Sequence, residues 1–420
     1  MTGGEKTTLE VAIVGGGAAG LATAIFAARA LPGSAIAVFD GAAHLGAKIL
    51  VSGGGRCNVT NREVAERDFN GGSRHAIRRV LQALPVHETT AFFESLGVRL
   101  HEEAGGKVFP DSNRARTVLD ALVGECLARG VRLLPSHRVT TLTPRGPGFV
   151  VQVGNRAWTA RTAVLATGGL SLPRTGSDGF GLRLAQQLGH TLVATTPALV
   201  PLVLDDELHR PLTGISHPVS LQLAVREQRP TRVRGSLLWT HFGISGPAVL
   251  DMSRHWARAE VEGKASVLTL GLLPDDDIAS ADAWLLDVGH GHPRQQVSTA
   301  LADRLPSAVG VTLCPAVDID GSTPLSRLPR DARRRLARAL VDWPLGVRGS
   351  RGYDHAEVTA GGVALGDVDP RTMHSRTCPG LFLVGEMLDV DGRLGGFNFQ
   401  WAWASAKAAA SGLAARLRGA

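Results

Sequence analysis

The 420-residue sequence predicts an α/β protein whose parallel sheet is assembled from both ends of the chain, with a β-rich segment and a helical segment inserted between them. Three observations carry this. "VAIVGGGAAGLATAIFAARA" followed by "AIAVFD" reads as strand, glycine turn, small-residue helix and second buried strand, the length a parallel pair with a crossover helix requires. From about Pro197 the helices cease to alternate, and strands separated by Pro, Gly and charge take over. After "GSRGYDHAEVTAGGVAL" the βα style returns, with "GLFLVGE" as a strand and "FQWAWASAKAAASGLAARLRG" as a closing helix rich in Ala.

The elements follow in order. Val11 to Val14 is apolar enough for a buried strand, and the helix after it is expected from about Ala18 to Ala30. "HAIRRVLQALPVHETTAFFESLGVRL" has helical periodicity broken by Pro85, which predicts two helices. "RTVLDALVGECLARGV" is a helix that Gly130 stops. Alternation with turn signals at Pro144 to Gly148 and Gly154 to Asn155 predicts antiparallel strands leading to a buried one at Ala163 to Ala166. "GFGLRLAQQLGHTL" is the next helix. The expected division is 1–192 and 351–420 for the parallel-sheet domain and 193–350 for the insert. Within the insert, 193–274 and 310–323 are expected to be β-barrel-like, and 275–309 and 324–345 helical.

The bulk numbers narrow the function. Four widely spaced cysteines, at 57, 126, 314 and 378, make no CxxC pair and no zinc spacing, so the expectation is a reduced cytoplasmic protein without a metal. The N-terminus "MTGGEKTTLE" has no basic leader region, and the first apolar run is interrupted by glycines and Arg29, which argues against a membrane span. The net charge is +7, but only five of the 45 cationic residues are Lys, and the Arg are scattered. The one dense cluster, "PRDARRRLARAL", reads as a helix with a solvated face, so nucleic acid is not the expected partner.

Chemistry enters with Gly15, Gly17 and Gly20, a G-x-G-x-x-G placed after a strand and opening a helix. The first glycine makes the turn, the second admits a pyrophosphate and the third packs helix on strand, while the helix N-terminus, at Ala18 and Ala19, offers N–H groups to phosphate. Asp40 closes the second strand, where an acid bonds ribose hydroxyls and repels a 2′-phosphate. The reading is a Rossmann-type dinucleotide site for FAD or NAD. Further clusters favour FAD: Ala166, Thr167, Gly168 and Gly169 end a buried strand, Gly385 and Glu386 follow another, and Gly395, Gly396, Phe397 and Asn398 open the last helix. FAD is long, and it uses a hydroxyl partner for its ribityl chain and a helix N-terminus near the flavin's pyrimidine edge.

The blocks "GGGAAG", "KILVSGGGRCNVTN", "KVFPDSNRA", "ATGGLSLPRTGSDGFG", "THFGISGPAVLDMS", "AEVTAGGVAL" and "VGEMLDVDGRLGGFNFQWAWASA" together resemble the bacterial FAD-binding flavoproteins of the aminoacetone oxidase type, also called YhiN-like or BaiN-like. The resemblance implies a Rossmann-type FAD domain made from both chain ends with a substrate domain inserted. It implies that Gly53, Gly54 and Gly55 run against the FAD and that Arg56 offers it charge; a loop that simply turns sharply is the alternative. Where that family has Arg-Lys before this loop, the chain has Ala47-Lys48, which leaves the phosphate or adenosine contact to Lys48 alone. Cys57, Asn58, Val139, Thr359 and Gly361 complete the expected cofactor-binding set, with Cys57 read as a packing residue. His241 is the candidate general acid or base, against a purely structural histidine. "HGH" at 290–292 reads as a loop.

These readings converge on an FAD-dependent oxidoreductase of a small organic substrate. Two activities associated with such proteins stay open, oxidation of amino-ketones and NAD(P)H-linked reduction of conjugated carbonyls. With a single G-x-G-x-x-G, a nicotinamide donor would bind only transiently. The alternatives are a flavoprotein that binds or modifies RNA and a flavin binder without turnover. No segment offers a His or Cys attachment motif, so the FAD is expected to be non-covalent. Acid precipitation of the purified protein is therefore expected to leave a colourless pellet and all the flavin in the supernatant.

Overall fold

The computed structural model describes residues 8–205 and 207–419. The chain divides into two compact units, Met1–Thr195 with Glu357–Ala420, and Thr196–Ala356. Each has its own apolar core.

In the first unit, β1 (Thr8–Val14), α1 (Ala18–Ala30) and β2 (Ile36–Phe39) form the expected βαβ unit. β1 lies between β2 and the long strand Arg156–Leu165, parallel to both. Arg132–Leu134 extends the parallel sheet beyond β2. The far edge of Arg156–Leu165 is shared. Its first half pairs antiparallel with Gly148–Val153, which in turn pairs with Val139–Arg145, and its last residues pair in parallel with Leu381–Leu383. The two ends of the chain thus meet in one sheet. Val11 to Val14 of β1 are all apolar and buried because both faces of the strand are covered there, as parallel strands require.

α1 is buried from Ala19 to Ala28 and packs against the C-terminal helix Phe397–Arg418. A helix apolar all round belongs inside, and the Ala-rich facing surfaces let the two axes approach closely. Trp401 and Trp403 of the last helix are sealed in the core, with indole N–H groups bonded to the carbonyls of Gly385 (3.1 Å) and Val59 (2.9 Å). Pro85 separates the helices Arg74–Leu81 and Val86–Ser95, as its missing N–H dictates.

In the second unit, a seven-stranded sheet runs in the order Trp343–Leu345, Ser266–Gly271, Ser216–Val225, Thr231–Thr240, Gly243–Ser245, Leu202–Leu204, Val347–Ser350. Its two outermost strands are joined through Gly346 alone, so the sheet must curl until its edges are neighbours. Several expectations for this region need correction. Residues 324–345 are not helical to their end: the helix stops at Val341, and Trp343–Leu345 is an outermost strand of the sheet. Residues 193–274 are not strands throughout: Pro247–Val261 is a helix that begins on a proline and buries Ala248, Val249, Met252, Ser253, Ala257 and Ala259. Residues 310–323 are not β-barrel-like: their whole first half, 310–316, belongs to the helix Ser307–Ala316. The β-branched residues there suggest a strand, but Val309, Gly310, Leu313 and Cys314 are buried at helical spacing against the second core, and packing overrides propensity. The "HGH" segment is likewise the end of the helix Ile278–Gly291 with its cap, not a loop.

Candidate functional site

The turn after β1 sits at the carboxyl edge of the parallel strands, where open α/β sheets bind ligands. Gly15 has φ +108, its N–H donates to the Phe39 carbonyl (2.8 Å), and a Cβ there would lie 2.4 Å from the Ala166 oxygen. Gly20 passes under the turn so closely that a Cβ would lie 1.9 Å from the Gly15 oxygen. Both glycines are required by the chain itself. Gly17 is different: it caps α1 with an ordinary φ of −83, and a Cβ there would meet nothing within 4 Å. No side chain caps α1 and no acid stands in its first turn, so the positive helix end faces open space. That open, uncapped N-terminus fits a pyrophosphate.

Asp40 is already engaged. Its Oδ2 accepts the Gly16 N–H (2.7 Å) and its Oδ1 the Ala42 N–H (2.8 Å), so the acid pins the glycine turn while each oxygen keeps a further lone pair for a hydroxyl. Ala166 donates its N–H to Val14, and Gly168 follows with φ +70. The Thr167 hydroxyl is buried with no hydrogen-bond partner among the described residues. It is packed against Gly181, where a Cβ would lie 1.8 Å from the hydroxyl oxygen.

Four distant segments meet around Glu386. Lys48 Nζ donates to Glu386 Oε2 (2.6 Å) and to Ser171 Oγ (2.6 Å). Glu386 Oε1 accepts from Ser171 Oγ (2.7 Å) and from the Thr359 N–H (3.0 Å). Thr359 Oγ1 in turn accepts the N–H groups of Leu170 (2.7 Å) and Ser171 (3.0 Å), and a Cβ on Gly169 would strike it at 2.3 Å. Lys48 is therefore an internal strut as well as a cation, and Glu386 is not a free acceptor. Ser171, absent from the sequence-based set, is the link; its only signal was its place after the "ATGG" run.

The loop at 52–61 and the start of the last helix are laced together. Gly53, Gly54 and Gly55 all have left-handed φ, at 54, 67 and 83, so the backbone needs glycine at all three whether or not a ligand approaches. Asn61 Nδ2 donates to the Gly395 carbonyl (3.0 Å) and Thr60 Oγ1 to Gln400 Oε1 (2.7 Å), while Asn58 Oδ1 accepts from the Val108 N–H (3.2 Å). Asn398 brackets Gly392, its amide bonding both the N–H (2.8 Å) and the carbonyl (2.9 Å). Gly396 caps the helix with φ +94, and a Cβ would lie 2.3 Å from the Thr60 oxygen. Its bareness serves this packing. Phe397 is fully buried. Arg56 does not stand free: it pairs with Glu103 (2.7 Å), holding that carboxyl below its usual range, and stacks over the Phe109 ring at 4.1 Å.

Cys57 is fully buried, and burial pushes its thiol up to about 12, only partly opposed by a hydrogen bond with Ser52. Cys126 is likewise raised to about 12 and Cys314 to about 11, and burial raises Cys378 too. A thiol in that state is no nucleophile at neutral pH. Val139 is buried at the start of its strand, and Gly361 and Gly385 are buried with positive φ. His241 is an exposed turn residue of the second unit; its ring packs edge-on against Phe242 (5.0 Å) and its carbonyl accepts from His209 Nε2 (3.2 Å). Among the described residues there is no cluster of three or more His, Cys, Asp or Glu suited to a metal, and no helix long and apolar enough to cross a membrane.

Residues 9–412 match the family described as HI0933-like protein Rossmann domain. The chain is 34% identical to the ribosomal RNA dihydrouridine synthase of Escherichia coli (strain K12), over 96% of this chain and 97% of that protein. It is 33% identical to a 3-dehydro-bile acid delta(4,6)-reductase of Clostridium scindens, over 94% of this chain and 96% of that one. In fold it is similar to 3-ketosteroid delta1-dehydrogenase from Sterolibacterium denitrificans, with a TM-score of 0.52 at 13% identity, covering 98% of this chain and 100% of the other.

Two outcomes are expected of this geometry. Gly17→Ala leaves the melting of flavin-stripped protein within about 1 kcal/mol of wild type, the scale of an N-cap change, but weakens FAD binding at least about tenfold in a fluorescence titration. Gly20→Ala, which overpacks the turn, costs about 1–3 kcal/mol of stability before any ligand is added. Thiol reagents at pH 8 are expected to label none of the four cysteines in the folded protein and all four in denaturant. Because the folded thiols keep their protons while unfolded ones lose them near 9, the cysteines' share of stability is present below that pH and declines as pH rises toward 12.

Proposed function

This chain belongs to the HI0933-like Rossmann family of FAD-dependent oxidoreductases, and we propose that its reaction is the reduction of a carbon–carbon double bond conjugated to a carbonyl. The observation that carries this reading is the chemistry shared by two relatives of nearly equal identity. Making dihydrouridine saturates a ring double bond next to a carbonyl, and a delta(4,6)-reductase of a 3-dehydro bile acid acts on double bonds conjugated to a ketone. When bound, FAD supplies the hydride for such a step.

The protein's share is binding and order. The open N-terminus of α1 takes the pyrophosphate, with Gly17 leaving room for it, and Asp40 offers its remaining lone pairs to the ribose. Lys48, Ser171, Thr359 and Glu386 tie the strand ends into one rigid base, so that the carboxylate of Glu386 is neutralised inside the protein instead of repelling electron density in a reduced cofactor. The reductant is proposed to be a nicotinamide dinucleotide that binds and leaves.

Anaerobic stopped-flow separates this from amino-ketone oxidation. The flavin is expected to bleach with NADH or NADPH and to recover its absorbance on adding an enone or a uridine-containing RNA. Bleaching by amino-ketones alone, with no recovery by any conjugated carbonyl, would reverse the assignment. His241→Gln in the same assay tests the histidine as proton donor: a loss of about 10²–10⁴-fold in reoxidation with FAD loading unchanged supports the role.

A further inference from the structure

The first unit carries a second concavity that shares no residue with the glycine turn or the Glu386 network. It is an open cavity of about 580 Å³ lined by His75, Arg78, Arg79 and Gln82 from the helix Arg74–Leu81 and its end, and by Asp369, Pro370, Arg371 and Arg376 from one loop. Four of its eight lining residues are arginines and one is an aspartate.

Several cations of this unit are answered by an acid: Arg29 by Glu125, Arg62 by Glu102, Arg138 by Asp178, Arg161 by Glu10 and Arg393 by Asp68. At the cavity only Arg78 is, by Glu66. The side chains of Arg79, Arg371 and Arg376 have no hydrogen-bond or ion-pair partner among the described residues. Asp369 is occupied in part by its own turn, its Oδ1 accepting the Arg371 N–H (3.0 Å). The walls are firm. Ile77, Val80 and Leu81 fasten the helix from its inner face, which turns Arg78 and Arg79 outward. The loop is closed by the Val368–Ser375 bridge and by Thr372 and Met373 donating to the Asp369 carbonyl, and it is anchored by the fully buried Met373.

Like charges held around a concavity repel one another and focus a positive potential outward. Guanidinium forks match phosphate oxygens in pairs. Four of them from two segments, around an open polar basin, suit successive phosphates of a strand better than an apolar small molecule. We propose that this basin is a docking site for the phosphodiester backbone of single-stranded RNA. The proposal rests on the reductase reading only for what the strand is brought to the enzyme to undergo.

The test is the salt dependence of binding of a short labelled oligouridine RNA to the FAD-loaded full chain, followed by fluorescence anisotropy. Arg79→Gln, Arg371→Gln and Arg376→Gln together are expected to weaken binding and to flatten the slope of log K against log salt by about 2, from three lost contacts at about 0.7 each. A control triple, Arg330→Gln, Arg334→Gln and Arg338→Gln on the most arginine-rich helix of the second unit, is expected to change the slope by less. No binding by wild type, an unchanged slope in the basin triple, an equal loss in the control triple, or displacement of the RNA by NADPH would each overturn the proposal. Reoxidation of the reduced flavin by a small enone, read on the same proteins, is expected to be unaffected in the basin triple. Failure of every conjugated carbonyl to reoxidise the wild type would overturn the reductase reading and leave the binding result standing.

Discussion

The structure depends on one close approach, the passage of Gly20 beneath the carbonyl of Gly15, with Gly15 itself set against Ala166. No side chain larger than hydrogen fits at either contact. Because it does fit, α1 can start immediately after β1 and lie flat on the sheet, and its whole circumference becomes buried. The same geometry brings the end of β1, the end of Arg156–Leu165 and the end of Leu381–Leu383 to one edge. What remains bare there is the first turn of α1, whose N–H groups no side chain caps among the described residues.

Around that edge the protein stabilises its polar groups by pairing them with one another. Lys48 and Glu386 are only 24% and 19% exposed, and removing either alone would leave a poorly hydrated charge without its partner. The network therefore resists piecemeal change, and it fixes the relative heights of four segments that the chain visits at widely separated points. The cysteines contribute to this interior as apolar groups. With their thiols held in the neutral form by burial, they add packing to the interior.

Charge outside the site is arranged differently. Arg56, Arg138 and Arg393 combine an acid partner with an aromatic ring beneath the guanidinium, which restrains them on the surface. Among the described residues, Arg79, Arg371 and Arg376 have neither. The cations thus divide between those that hold the surface together and those, Arg79, Arg371 and Arg376 among them, that remain available.

Local pattern by itself determined the βαβ unit, the helix Ala18–Ala30 to its end residues, the proline break between two helices and the return of the chain to the parallel sheet, because each rests on neighbours in sequence: apolar period, glycine and proline. It also carried the Rossmann-type architecture and the FAD-dependent class, through motifs whose spacing is itself the chemistry. Tertiary contact decided the rest. The helix Pro247–Val261 and the helical turn of 310–316 follow from which faces the second core buries, which no local propensity states. That Gly396 is bare for Thr60, that Glu386 is engaged by Lys48, Ser171 and Thr359, and that Arg79 shares a basin with Arg371 and Arg376 are facts about segments far apart in the chain. A sequence displays each side chain's chemistry, but only the packed chain determines which charge has a partner and which has none.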